Sequence, residues 1–183
     1  DILRDTGKPL PIKKAIDYAI QIATGLDAAH KKNIIHRDIK SANIMLAPGE
    51  QIKIMDFGLA KLTDETMVTK IGTRMGTVAY MSPEQAEGAD VDYRSDLWSL
   101  GVLLYEMITG QLPFKGDAEQ AVIYSILKED PQPLTGLRTG VPMELERIVL
   151  KAPEKNPAER YQHADELLAD LRVLLSRYNE FER

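Results

Sequence analysis

Apolar residues recur at helical spacing early in the chain: Ile16, Ala19, Ile20, Ala23 and Leu26 follow Ile12 as the stripe of an amphipathic helix. Lys31 and Lys32 stand where cations favour a helix C-terminus, and Asn33 can close it. The pattern predicts a helix of about five turns, with His30 on its inner side as a hydrogen-bonded core histidine. Ahead of it, Gly7, Pro9 and Pro11 break the polar stretch Asp1 to Leu10 into a short turn and a loop. Beyond it the period changes. Ile34 and Ile35 lead into a polar loop, His36 to Asn43, and Ile44-Met45-Leu46 lead out. With Ala47-Pro48-Gly49-Glu50 as a turn and Ile52-Lys53-Ile54 as the return, this segment reads as a small hairpin.

Leu59 to Pro83 shows no sustained period and is rich in Thr and Gly; a loop of that length inside a compact domain is usually functional. Leu97 to Ile108 is apolar nearly all round, the mark of a helix buried in a core. Ser95 offers an N-cap, Asp96 a first-turn carboxylate and Gly110 a stop, so a buried central helix is expected over about 95–109. Asp117 with Gln120 forms a capping-box-like start for a helix through Lys128, ended by Pro131 and Pro133. A further helix begins near Pro142 and carries Leu145, Ile148 and Val149. The last presents Leu167, Leu168, Leu171, Leu174 and Leu175 on one face. The fold class is mainly α, a helical bundle with short β-hairpins.

Composition narrows this picture modestly. At 183 residues and 44% hydrophobic content the chain can bury one substantial core, which favours one domain or lobe. The absence of cysteine excludes disulfide frameworks and thiolate metal sites and suits a reducing, cytoplasmic location. A net charge of −5 without a basic stripe argues against a nucleic-acid partner. No apolar run approaches membrane-spanning length. Opening on Asp1 and closing on Arg183, the chain reads as a fragment cut from something longer, whose remainder can carry a membrane anchor.

Chemistry concentrates on the polar loop. Asp38, Lys40 and Asn43 bring a carboxylate, an ammonium and an amide together, able to act as base, phosphate clamp and metal ligand. Further along stand Asp56-Phe57-Gly58, Gly76-Thr77, Ser82-Pro83-Glu84, Asp96 and Arg160. In this order and at these spacings, the motifs resemble those of protein kinases, from Asp1 to about Arg177. Lys at position 40 looks like a serine/threonine kinase, and Met81-Ser82-Pro83-Glu84-Gln85-Ala86 is similar to bacterial members.

The resemblance implies roles. Asp38 would accept or orient the proton of a substrate hydroxyl, and Lys40 would meet the γ-phosphate of ATP. Asn43 and Asp56 would hold Mg²⁺, with Mn²⁺ able to replace it. Met45 would floor the adenine pocket, although packing in an apolar run explains a Met there nearly as well. Residues 36–43 would be the catalytic loop and 56–84 the activation segment. Arg37 beside Asp38 implies control by phosphorylation, with Thr69 and Thr73 as the leading phosphosites and Thr63 and Thr66 behind them. Lys61 could add a second cation there, but a solvated lysine accounts for it better. Thr77, Glu84, Asp96 and Arg160 would be architectural, as would His36 and Phe57 in the family's regulatory stack. Ala42 stands where some kinases carry a Glu that reads substrate arginine, so a basic upstream preference is not expected.

The family's Gly-rich loop, strand lysine and partner Glu helix are not found in these residues. The expectation is therefore the large C-terminal lobe of a kinase that phosphorylates proteins, inactive by itself. Apolar surface near Met45 and Phe57 would then favour self-association. Two other readings compete: a pseudokinase-like binding or scaffold lobe, and a small-molecule kinase. Intact Asp38, Lys40, Asn43 and Asp56 disfavour the first, and the Gly76–Glu84 peptide-docking segment disfavours the second.

Overall fold

The computed structural model describes residues 2–3, 8–57 and 78–181. Its elements in chain order are α1 (Ile12–His30), β1 (Ile44–Ala47), β2 (Gln51–Ile54), α2 (Pro83–Ala86), α3 (Arg94–Thr109), α4 (Glu119–Lys128), α5 (Met143–Lys151) and α6 (Ala164–Phe181). Among the described residues, 3₁₀ turns at Ser41–Asn43, Leu134–Gly136 and Pro157–Glu159 join them.

The centre of the molecule is α3. Leu97, Trp98, Leu100, Val102, Leu103, Leu104, Met107 and Ile108 are all buried, as its all-round apolar sequence requires. Gly110 ends it in the left-handed region at φ 74°, where glycine carries no Cβ penalty. α1 lays Ala15, Ile16, Ala19, Ile22, Ala23 and Leu26 into the core and packs against α3 and α6. The predicted stripe therefore lies on the buried face. α6 answers with Leu167, Leu168, Leu171 and Leu174. At Gly101 a Cβ would lie 2.6 Å from Ala152 Cβ and 2.8 Å from Pro153 Cδ, so α3 and the end of α5 meet there almost backbone to side chain.

The hairpin forms in the expected place. β1 and β2 pair antiparallel with Ile44 opposite Ile54 and Ala47 opposite Gln51. Gln21 on α1 fastens it, accepting from the Ile52 N–H at 2.8 Å and donating to the Glu50 carbonyl at 3.1 Å.

Two helix starts differ from expectation. Ser95 is not the N-cap of α3, which begins at Arg94 after Tyr93. Its hydroxyl donates at 2.6 Å to the Glu84 carboxylate, a stronger acceptor than a neutral group. Likewise α4 starts at Glu119 behind an extended Ala118, with no side-chain cap, so Asp117 and Gln120 build no capping box. Gly116 lies so close beneath the first turn that a Cβ there would meet Ala121 Cβ at 2.6 Å. The chain enters α4 by that tight approach instead. A capping box does exist at α2, where Ser82 and Gln85 cap each other; that helix was not anticipated. Pro142 is the N-cap of α5, one residue ahead of the first-turn position its sequence suits.

Candidate active site

The loop from Asn33 to Asn43 is held from below by α3. Asp96, 1% exposed, accepts from the His36 N–H at 2.9 Å and the Arg37 N–H at 2.8 Å. The His30 ring also reaches its Oδ2 at 2.8 Å, so His30 is the hydrogen-bonded core histidine its position implied. One first-turn carboxylate thus orders two consecutive backbone donors and the end of α1.

His36 carries the order forward. Its Nε2 donates to the Met55 carbonyl at 2.7 Å, while its Nδ1 accepts from the Asp38 N–H at 3.1 Å. The partners decide the tautomer, because a carbonyl only accepts and an N–H only donates. The ring also meets Phe57 edge-on, centroids 4.6 Å apart. Arg37, between them, has φ 70°, a region sparsely populated by residues with a Cβ. The residue is exposed to solvent.

Asp38, Lys40 and Asn43 lie together. Lys40 Nζ lies 3.2 Å from Asp38 Oδ2. Asn43 Nδ2 donates to the Asp38 carbonyl at 2.8 Å and to Oδ2 at 3.1 Å. With the amide nitrogen facing Asp38, the amide oxygen of Asn43 is the atom turned toward other partners. The Met55 N–H donates to the Asn43 carbonyl at 2.8 Å, and Asp56, at φ 60°, follows Met55 at the exit of β2. Asp56 is exposed. Met45 projects from β1 at 47% exposure.

A second cluster braces the other side. Glu84 Oε1 and Oε2 accept from Arg160 Nη1 at 2.6 Å and Nη2 at 2.8 Å. The guanidinium, 2% exposed, also donates to the carbonyls of Glu154, Lys155 and Arg94 and lies 5.0 Å over Trp98. Burial pushes the Glu84 carboxyl up, but the bonds from Arg160 and Ser95 outweigh it and hold it below its usual value. Glu84 and Arg160, which the resemblance implies are architectural, therefore form a largely buried ion pair.

Three groups in this neighbourhood were not singled out from sequence. The Tyr80 hydroxyl donates to the Glu106 carboxylate and stands 3.2 Å from Ser41 Oγ, which links the stretch before α2, α3 and the Ser41–Asn43 turn. Burial raises the carboxyl of Glu106, against which the Tyr80 bond acts. Gln85 joins Ser82 to the Arg37 carbonyl; the Ser82-x-x-Gln85 pattern could have revealed half of that. Gly58, Lys61, Thr63, Thr66, Thr69, Thr73, Gly76 and Thr77 lie outside the described residues. Among the described residues, no group of three or more His, Asp or Glu side chains could hold a metal ion unaided.

Comparison with known proteins places the chain among protein kinases. The chain is 45% identical over 172 residues to the serine/threonine-protein kinase PknB of Mycobacterium leprae, covering 93% of this chain and 28% of that protein. It is 42% identical over 171 residues to a probable serine/threonine-protein kinase of Clostridium perfringens, covering 93% and 25%. A probable serine/threonine-protein kinase of Clostridium acetobutylicum is 40% identical over 177 residues, covering 97% and 27%. The chain spans about a quarter of the length of these curated relatives. A model of the protein kinase domain matches residues 1–171, and with that match added to the loop geometry, the chain belongs to the protein kinase domain family.

Proposed function

We propose that the full-length protein transfers the γ-phosphate of ATP to serine or threonine hydroxyls of protein substrates, and that residues 1–183 form its large lobe. The observation that carries this reading is the fixed Asp38 carboxylate, with Lys40 Nζ at 3.2 Å and Asn43 Nδ2 at 3.1 Å from one of its oxygens. Phosphoryl transfer needs positioning and charge neutralisation more than covalent chemistry. Asp38 orients the substrate hydroxyl and takes up its proton. Lys40, beside it, presents a point charge to the phosphoryl group.

The donor set suits Mg²⁺, with Mn²⁺ as a substitute. The Asn43 amide turns its nitrogen inward to Asp38, and Asp56 offers an exposed carboxylate from the neighbouring strand exit. Two hard oxygen ligands are too few for a protein cage but suit a cation shared with substrate phosphates. When bound, the ion neutralises charge on the phosphate oxygens. Met45, exposed on β1, is available to floor the adenine.

In this reading residues 36–43 are the catalytic loop, 56–84 the activation segment and 94–109 the buried central helix. The Gly-rich loop and the Lys–Glu pair come from outside residues 1–183. Met45, Leu46, Met55 and Phe57 are each 39–47% exposed around the hairpin, the surface such a small lobe would cover and one through which an isolated large lobe would self-associate. The guanidinium of the exposed residue Arg37 is suited to a phosphothreonine, for which Thr69 and Thr73 are the candidates. ATP as co-substrate favours a cytoplasmic position for this lobe.

The test is full-length protein incubated with labelled ATP and Mg²⁺, followed by phosphoamino-acid analysis. Phosphoserine or phosphothreonine, abolished by chelator, is expected. An absence of transfer, or phosphotyrosine alone, contradicts the reading. Residues 1–183 purified alone are expected to give little or no transfer.

A further inference from the structure

The peptide unit leading into Asp38 is pinned at both of its polar atoms. Its nitrogen, that of Asp38, donates to His36 Nδ1 at 3.1 Å. Its oxygen, the Arg37 carbonyl, accepts from Gln85 Nε2 at 2.9 Å. A planar peptide held at both edges resists rotation, and its plane fixes the N–Cα bond from which the Asp38 side chain hangs. Rotation of this peptide, about ψ of Arg37 and φ of Asp38, would re-aim the Asp38 side chain, and it follows directly on Arg37, whose φ of 70° lies in a sparsely populated region.

Beside the peptide lies a void of about 10 Å³, lined by Arg37, Asp38, Ile39, Tyr80, Gln85 and Ser99 among others, room for one water at most. The Gln85 amide, 7% exposed, spans this region. Its orientation is forced: Oε1 accepts from the Ser82 N–H at 3.1 Å and Nε2 faces a carbonyl. A capping box is served equally by Glu or Gln. Only Gln also carries a donor for the Arg37 carbonyl.

We propose that Gln85 is a positioning residue for the catalytic loop. It transmits the placement of the Ser82–Ala86 segment to the Asp38 carboxylate through the Arg37 carbonyl. This rests on the kinase reading above, and it assigns a function to a residue that touches neither nucleotide nor substrate.

The experiment measures single-turnover phosphoryl transfer and KM in the full-length protein, for wild type, Asp38→Asn, Gln85→Glu and Gln85→Met, from pH 6 to pH 8. Gln85→Glu keeps the capping acceptor but sets a carboxylate against the Arg37 carbonyl. Its transfer rate is expected to fall about ten-fold or more at pH 8, with KM for ATP within about two-fold. Burial and the facing Arg37 carbonyl both disfavour the charged form of that carboxyl, so its rate relative to wild type should recover in part toward pH 6 as the side chain regains an O–H donor. Gln85→Met should show a comparable fall without recovery, and it decides the matter if Gln85→Glu does not fold. Wild-type rates in Gln85→Met, or a loss in Gln85→Glu that is independent of pH and matched by raised KM, overturn the assignment. Absence of transfer by wild type, or full transfer by Asp38→Asn, sinks the kinase reading and this assignment with it. Loss in Asp38→Asn alone, with both Gln85 variants at full rate, sinks only the role of Gln85.

Discussion

Asp96 Oδ1 accepts the backbone N–H of Arg37 at 2.8 Å, so a carboxylate in the first turn of α3 fixes the residue before Asp38. The same carboxylate takes the N–H of His36. Replacing Asp96 by Ala leaves two backbone donors unpaired, each worth about 1–3 kcal/mol when buried. Asp96→Ala is expected to lose about 3–5 kcal/mol, read by denaturant unfolding. Asp96→Asn should lose less but still disorder the loop, since its NH₂ must face one of the donors.

Glu84 and Arg160 give a pH dependence. Glu84 has a folded pKa below its ordinary value of 4.5. A depressed carboxyl stabilises the fold above the unfolded pKa, and this contribution disappears as pH falls through the folded one. The wild type should therefore lose stability on acidification below about pH 4.5. Glu84→Gln should flatten that portion of the curve and, at pH 7, lower stability by about 3 kcal/mol, because Arg160 stays buried without its counter-ion. Urea unfolding between pH 3 and pH 7 reads both effects.

Tyr80 and Glu106 work in the opposite sense. Burial raises the Glu106 carboxyl, and the Tyr80 hydroxyl restrains that rise. In Tyr80→Phe the restraint is gone. A raised carboxyl favours folding at low pH and opposes it as pH rises through the folded pKa. The difference in stability between Tyr80→Phe and wild type should therefore widen from pH 5 to pH 8, as thermal unfolding across that range would reveal.

Gly101 tests the packing of the core. An alanine there gains about 1 kcal/mol of helix propensity, yet its Cβ meets Ala152 Cβ at 2.6 Å and Pro153 Cδ at 2.8 Å. Overpacking of this kind typically costs 1–3 kcal/mol. A net loss in Gly101→Ala, larger in Gly101→Val, is the expected outcome of chemical denaturation.

Periodicity disclosed the helices that bury a continuous face. The α1 stripe and the all-apolar α3 were legible because a helix repeats every 3.6 residues and burial is read directly in residue type. Helix starts were less legible. Ser95 looks like a cap in one dimension, but Glu84, eleven positions earlier, takes its hydroxyl. The resemblance named Asp38, Lys40, Asn43, Asp96, Glu84 and Arg160 as a set, and the described geometry brings them into two linked clusters. It did not disclose Gln85, Tyr80 or Glu106, whose partners lie 48 and 26 positions away and leave no local pattern. The threonines expected to regulate the site fall outside the described residues.

The most direct measurement compares phosphoryl transfer from ATP to a protein substrate by full-length wild type and by Asp38→Asn. The Asn side chain keeps the size of Asp38 but can neither take up a proton nor balance Lys40. A fall of about 10²-fold or more, with folding intact by circular dichroism, is the predicted result. Asp38→Asn working within about three-fold of wild type would contradict it.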